Sequence, residues 1–196
     1  NPTGEGDELY DDYYEANKDR DRVIYVGTND GIMHMLYADA APESGRADDT
    51  AGQEVWGFLP DEVVPALEKI VLDVEHTYTV DGRIAANDIY YEKPGDSVNT
   101  WSTILAFGLR RGGNAFYGMD ITKVETKPTP LWKYNDAAHS GQSWGKPVIG
   151  RIKVQDPNDI SSTIDQWVAI LPGGFEFNSD NPNDTRGKAV FVIDAA

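Results

Sequence analysis

Three histidines and no cysteine make up the reactive inventory of this 196-residue chain. Without thiols there can be no disulfide, no zinc-thiolate site and no cysteine nucleophile. His34 falls within an apolar run, IMHML, and is expected to be buried and hydrogen-bonded to backbone. His76 opens a segment read as a strand, beside Tyr78 and Asp81, and a structural role is expected there too. His139 lies in a Ser/Gly loop with no histidine or acidic partner at ligand spacing. Nothing assembles a Ser-His-Asp constellation.

Oxygen ligands at alternating positions are what a hard cation such as calcium takes. The run FNSDNPNDTRG supplies them as Asn178, Asp180, Asn183 and Asp184, the calcium candidate within the chain. Pro182 and the lack of a bidentate Glu weigh against it, and Asn and Asp also fill turns for ordinary reasons. The QDPND turn at 155–159 is weaker still. The pairs Gly112-Gly113 and Gly173-Gly174 are not followed by Lys-Ser/Thr or by a helix, so they read as hairpin turns and not as phosphate loops.

The residues available are 40% hydrophobic and 11% aromatic, enough for a packed core. With 33 acidic against 17 basic residues the net charge is −16, which argues against a nucleic-acid or anionic-membrane surface, though acidic oxygens could recruit divalent cations. No apolar run approaches the roughly 20 residues that span a bilayer. No secretory signal pattern is present, and a start at NPTGEGDELY reads as an internal piece or a mature product.

These groups are positioned by elements with a β texture. Residues 1–21 form an acidic arm, irregular or with a short helix over 11–18, packed by Tyr10, Tyr13 and Tyr14. Two strands, 23–27 and 32–37, are joined across Asn29-Asp30-Gly31, a strong hairpin signal because such turns need positive φ. A strand at 53–59 carries Trp56. Then comes a short helix near 61–71, capped by Asp61, tolerating Pro65 in its early turns and apolar along Val63, Leu67 and Ile70. Further strands are expected at 77–80, 85–91, 102–108, 115–121, around Trp132, and at 148–154, 166–171 and 188–193.

Three stretches recur: VIYVGTNDGIMHMLYAD, TILAFGLRRGGNAFYGMDI and WVAILPGGFEFN…GKAVFVIDA. Each is a strand, a Gly-containing turn and a second strand, ending near Asp39, Asp120 or Asp194. A Trp-bearing strand follows the first two. Repeated hairpin-plus-strand units point to an all-β fold, a partial β-propeller with blade units at about 22–59, 101–134 and 148–196. Strands apolar on both faces, such as 104–107, fit sheets covered on both sides. A β-sandwich is the alternative, though its strands would more usually alternate. Trp56 and Trp132 would lock blades together. An unfinished ring would leave 190–194 as an open edge or an exposed apolar face.

The blocks YVGTNDGIMHML, WGFLPDEVVPAL, HTYTVDGRIAANDIY, WSTILAFGLRRGGNAFYGMDIT, PLWKYND, WGKPVIGRI, QWVAILPGGFEFN and AVFVIDA, in that order, resemble the C-terminal propeller domain of PilY-type proteins of bacterial type IV pili. The resemblance spans 22–196 and implies a modified propeller related to quinoprotein alcohol dehydrogenases. It further implies a non-catalytic module of pilus assembly and adhesion, opposing retraction, at the pilus tip, the cell surface or the outer membrane. Implied partners are pilins or minor pilins, a host or abiotic surface, and further blades or a partner chain to complete the fold. The family's calcium loop would fall beyond residue 196. The competing readings are a quinone-dependent dehydrogenase-like propeller, disfavoured by the absent cysteine pair, and a glycan- or protein-binding propeller unrelated to pili.

Overall fold

The computed structural model describes residues 6–39, 51–72, 76–93, 95–176 and 185–196. The Asn29-Asp30-Gly31 turn reverses the chain between β1 (Val23–Gly27) and β2 (Met33–Tyr37), with Gly31 at φ 104°, a conformation that glycine takes without a Cβ penalty. The Asp30 carboxylate accepts the Ile32 N–H at 3.1 Å and fixes the turn. β3 (Glu54–Phe58) completes a first antiparallel sheet in the order β1-β2-β3.

The second sheet is a four-stranded meander of β4 (Ile84–Glu92), β5 (Asn99–Gly108), β6 (Phe116–Asp120) and β7 (Thr129–Tyr134). Pro130 sits in β7, at the sheet's edge, where a missing N–H does not break a ladder. In the third sheet β9 (Thr163–Pro172) lies between β8 (Val148–Gln155) and β10 (Val190–Asp194). All neighbours are antiparallel, and none of the three sheets closes on itself.

β5 explains the layering. Its burial is continuous from Trp101 to Gly108 because successive side chains enter different cores. Leu105 and Phe107 join Met33, Met35 and Trp56 of the first sheet, while Ile104 and Ala106 join Ile149 and Trp167 of the third. The second sheet is therefore covered on both faces. Each fully buried Leu, Ile or Phe there contributes roughly 1.5–3 kcal/mol by leaving water.

Helices are short. The arm contains α1 (Tyr10–Asn17), matching the helical option for 11–18. The helix expected near 61–71 is divided into a 3-10 segment, Asp61–Ala66, that contains Pro65, and α2 (Leu67–Leu72). Asp61 does not cap it. Its carboxylate instead accepts from the Tyr117 hydroxyl at 2.8 Å and from Lys133 Nζ at 2.9 Å on the second sheet. Residues 77–80 are not a strand either. Thr79 N–H donates to Asn29 Oδ1 and its hydroxyl to the Thr28 carbonyl, while Asp81 N–H reaches the Leu109 carbonyl. This extended piece stitches the β1–β2 turn to the β5–β6 turn, so its polar groups are spent on two hairpin ends and not on a ladder.

Candidate functional site

The densest polar network lies where the arm crosses onto β4 and β5. Asp88 on β4 accepts the Tyr10 hydroxyl at 2.9 Å and the Thr103 hydroxyl at 2.6 Å. Thr103 Oγ1 in turn lies 2.7 Å from the Tyr13 hydroxyl and accepts from Arg20 at 3.0 Å, which fills its hydrogen-bonding capacity. Trp101 donates its indole N–H to the Gly6 carbonyl at 2.8 Å. Arg151 on β8 grips Asp7 with two bonds of 3.0 and 3.2 Å, a charge-assisted fork, and lies 5.4 Å from the Trp167 ring centre. The arm thus ties the second and third sheets together.

Beneath it runs a cavity of about 660 Å³ walled by Tyr13, Tyr14, Arg20, Tyr25 and Asp88. A smaller one of about 320 Å³ lies between Tyr10, Asp11, Asn87, Trp101 and Trp167. Burial, reinforced by the hydrogen bond to Asp88 and its charge, pushes the Tyr10 hydroxyl up to about 12. Tyr10 therefore stays a neutral donor throughout the physiological range.

A second cluster surrounds His34, and it corrects the expectation of a backbone-bonded imidazole. Nδ1 lies 2.6 Å from Glu54 Oε2 on β3, and Nε2 lies 3.1 Å from Asp30 Oδ2 and 3.1 Å from Thr28 Oγ1. A hydroxyl, an imidazole and a carboxylate in line suggest a nucleophilic relay. Here, though, the Thr28 hydroxyl donates to Asp30, and the same Asp30 carboxylate also shares Nε2. Burial pulls the imidazole toward neutrality, but the hydrogen bonds and charges of Glu54 and Asp30 outweigh it and raise its pKa. Burial likewise opposes the Asp30 charge, and the bonds from Thr28, the Ile32 N–H and His34 outweigh that, so Asp30 stays below the usual carboxylate range. The result is an imidazole clamped between two carboxylates that favour its protonated form, a poor general base and a good cross-strand clasp.

His76 packs edge-on against Tyr78 at 4.5 Å. His139, expected to lack an acidic partner, lies 3.1 Å from Asp136, which also accepts the Ala138 and His139 N–H groups. Asn178, Asp180, Asn183 and Asp184 lie outside the described residues. Among the described residues no group of three His, Cys, Asp or Glu side chains could hold a metal ion. Sequence reasoning missed Arg20, Asp88, Thr103 and Arg151. Apart from the Asp88–Thr103 pair of neighbouring strands, their partners in the arm lie far away in sequence, 78 positions for Tyr10–Asp88 and 144 for Asp7–Arg151, and no local signal encodes that.

Repeated antiparallel meanders, stacked and pinned at their seams by side chains, define a layered, mostly β fold. No family model matches the chain. It is 28% identical over 191 residues to the type IV pilus biogenesis factor PilY1 homolog of Xylella fastidiosa, covering 96% of this chain and 13% of that protein. It is 28% identical over 149 residues to the type IV pilus biogenesis factor PilY1 of Pseudomonas aeruginosa PAO1, covering 73% of this chain and 11% of the relative. The crystal structure of the Pseudomonas aeruginosa PilY1 C-terminal domain superposes with a TM-score of 0.59 at 25% identity, over 94% of this chain and 30% of that one. The chain is thus similar in sequence and fold to the C-terminal domain of PilY1-type pilus biogenesis factors. It spans about an eighth of the length of these curated relatives. No helix among the described residues is long and apolar enough to cross a membrane.

Proposed function

We propose that this chain is a segment of a β-propeller that serves type IV pilus biogenesis as a non-catalytic structural module at the cell surface. The observation that carries the pilus reading is the match over 96% of the chain to a PilY1 homolog. The propeller reading is supported by a repeated step between sheets. Met33 and Met35 of β2 pack under the second sheet. At the same register, Phe116 of β6, with Trp132 opposite Gly118, packs under the third. Again at that register, Val190 and Val192 of β10 are 69% and 55% exposed. A propeller lays its next sheet on that face.

The same proposal includes adhesion, pilins as partners, and calcium held by the family loop or by Asn178, Asp180, Asn183 and Asp184. The test is made in the organism that encodes the chain. Removing 22–196 from the full-length protein is expected to abolish surface pili, measured by shearing and immunoblotting. Normal piliation would overturn the proposal. Quinone-dependent alcohol oxidation by the purified full-length protein would overturn its non-catalytic part, and a calcium titration of the chain with Asp180→Ala tests the 178–184 site.

A further inference from the structure

Where the β5–β6 turn meets the loop after β7, two guanidinium groups lie against one indole, and Arg83 and Lys146 line the same cavity. The Arg110 guanidinium carbon lies 4.3 Å from the Trp144 ring centre, and that of Arg111 lies 5.5 Å from it and 4.7 Å from the Tyr78 ring. A cavity of about 230 Å³ opens here, walled by Asp81, Arg83, Arg110, Trp144 and Lys146.

Two features set this place apart. The first is charge. In a chain of net charge −16, cations such as Lys93, Lys133, Arg151 and Lys153 each hold a carboxylate. Arg110 does so too, 3.2 Å from Asp81. Among the described residues no carboxylate pairs with Arg83, Arg111 or Lys146, so positive charge is left over beside this cavity in an acidic protein. The second is backbone strain. Arg110, at φ 55°, is the one non-glycine residue with positive φ among the described residues. Its N–H and that of Leu109 are held by Ser143 Oγ at 3.2 and 2.8 Å. An L-residue in this region is strained, a cost that glycine would avoid. Strain of this kind persists where the direction of a side chain matters to function.

We propose that the cavity binds a carboxylated ligand of about one sugar ring, a hexuronate unit. Arg83 and Lys146 supply the donors for the carboxylate. Asp81 donates nothing and has acceptor positions beyond the one that Arg110 uses, which suits ligand hydroxyls and opposes a multiply charged anion. The Trp144 N–H is already given to Gln142 at 3.1 Å, and Arg110 lies against the ring, so the indole meets a ligand only with what apolar surface the guanidinium leaves uncovered. The volume falls below the roughly 300–1,000 Å³ of pockets for drug-sized ligands, which limits the occupant to about one ring. The assignment stands apart from the pilus reading, because it rests on the residues of this cavity and not on the sequence match that carries that reading.

The test is saturation-transfer NMR and calorimetry on the whole chain with glucuronate, glucose, glutamate and inorganic phosphate as separate probes. Glucuronate is expected to bind saturably and at least tenfold more tightly than each of the others. Arg83→Gln, at an exposed position, is expected to weaken glucuronate at least tenfold with an unchanged melting temperature. Arg110→Gly should weaken it similarly while melting at or above the parent, since the strain is relieved. The proposal is overturned if glucuronate fails to saturate, if phosphate or glutamate binds as tightly, or if both variants bind like the parent.

Discussion

In the β2–β3 pair and in the β6–β7 pair a tryptophan faces the middle of the neighbouring strand, and in both the register slips just after it. Trp56 lies opposite Met35, with the shift between Met35 and Leu36; Trp132 lies opposite Gly118, with the shift between Gly118 and Met119. The two constructions differ in the residue faced. Met35 fills its side of the first seam, and the Trp56 ring packs 5.8 Å from Tyr25 within its own sheet. Gly118 leaves space that the Trp132 indole occupies so closely that a Cβ there would collide with it. From that seat Trp132 donates its N–H to the Ala195 carbonyl of the third sheet at 3.0 Å. One repeated tryptophan thus packs into the core between the first and second sheets in one place and hydrogen-bonds across to the end of the third in the other.

Copying the first arrangement into the second should break the comparison most. Gly118→Met displaces the indole and overpacks the seam, a loss of about 3 kcal/mol or more by urea unfolding. A loss under about 1 kcal/mol would mean that the glycine does not set the position of Trp132.

Trp132→Phe keeps an aromatic ring but removes the bond to Ala195, at about 1–2 kcal/mol. Amides of β10 should then exchange faster, whereas Trp56→Phe should leave them protected. Equal effects on β10 would refute the division of roles between the two tryptophans.

The His34 clasp belongs to the first sheet alone, so it sharpens the comparison through pH. Its folded pKa is raised, so the stabilisation is complete below the ordinary histidine value of about 6.5 and is lost as pH rises through the folded value. Asp30 acts in the opposite sense, its share disappearing as pH falls through its lowered value. His34→Gln should therefore cost more at pH 6 than at pH 9. The difference should be about 0.5–1 kcal/mol, because the half-exposed carboxylates are screened by water. A melting-temperature gap that does not vary with pH would show that the imidazole is uncharged in the clasp.

The smallest effect on the chain itself is expected from Val192→Lys, within about 0.5 kcal/mol, because the position is exposed. In the full-length protein the same change should reduce surface piliation if a further sheet covers that face. Unchanged piliation would count against the cover.

The hairpins were legible because their signals are local. Asn29-Asp30-Gly31 announces its own turn, and the unbroken apolar run of β5 announces two covered faces. The residues that fasten elements to one another were not legible. Glu54 meets His34 across a strand pairing, and Asp61 left its expected cap for Tyr117 and Lys133. Residues 77–80 carry a strand-like pattern, but two nearby hairpin ends claimed their hydrogen bonds. Arg110 gave no hint of a conformation that glycine usually takes. Propensity and periodicity report what a segment prefers alone, and each of these outcomes is decided by a partner far along the chain.

The N-terminal arm also bears on the order of assembly. Strands in each sheet find neighbours close in sequence, while Gly6 must meet Trp101 across 95 positions and Asp7 must meet Arg151 across 144. At a ribosome adding roughly 5–20 residues per second, Asp7 exists for on the order of ten seconds before Arg151 is made. The partners for its dock on β4 and β5 are synthesised before the partner for its dock on β8. The arm is thus a latch that fastens in two clicks, the second only after the third sheet has begun to appear.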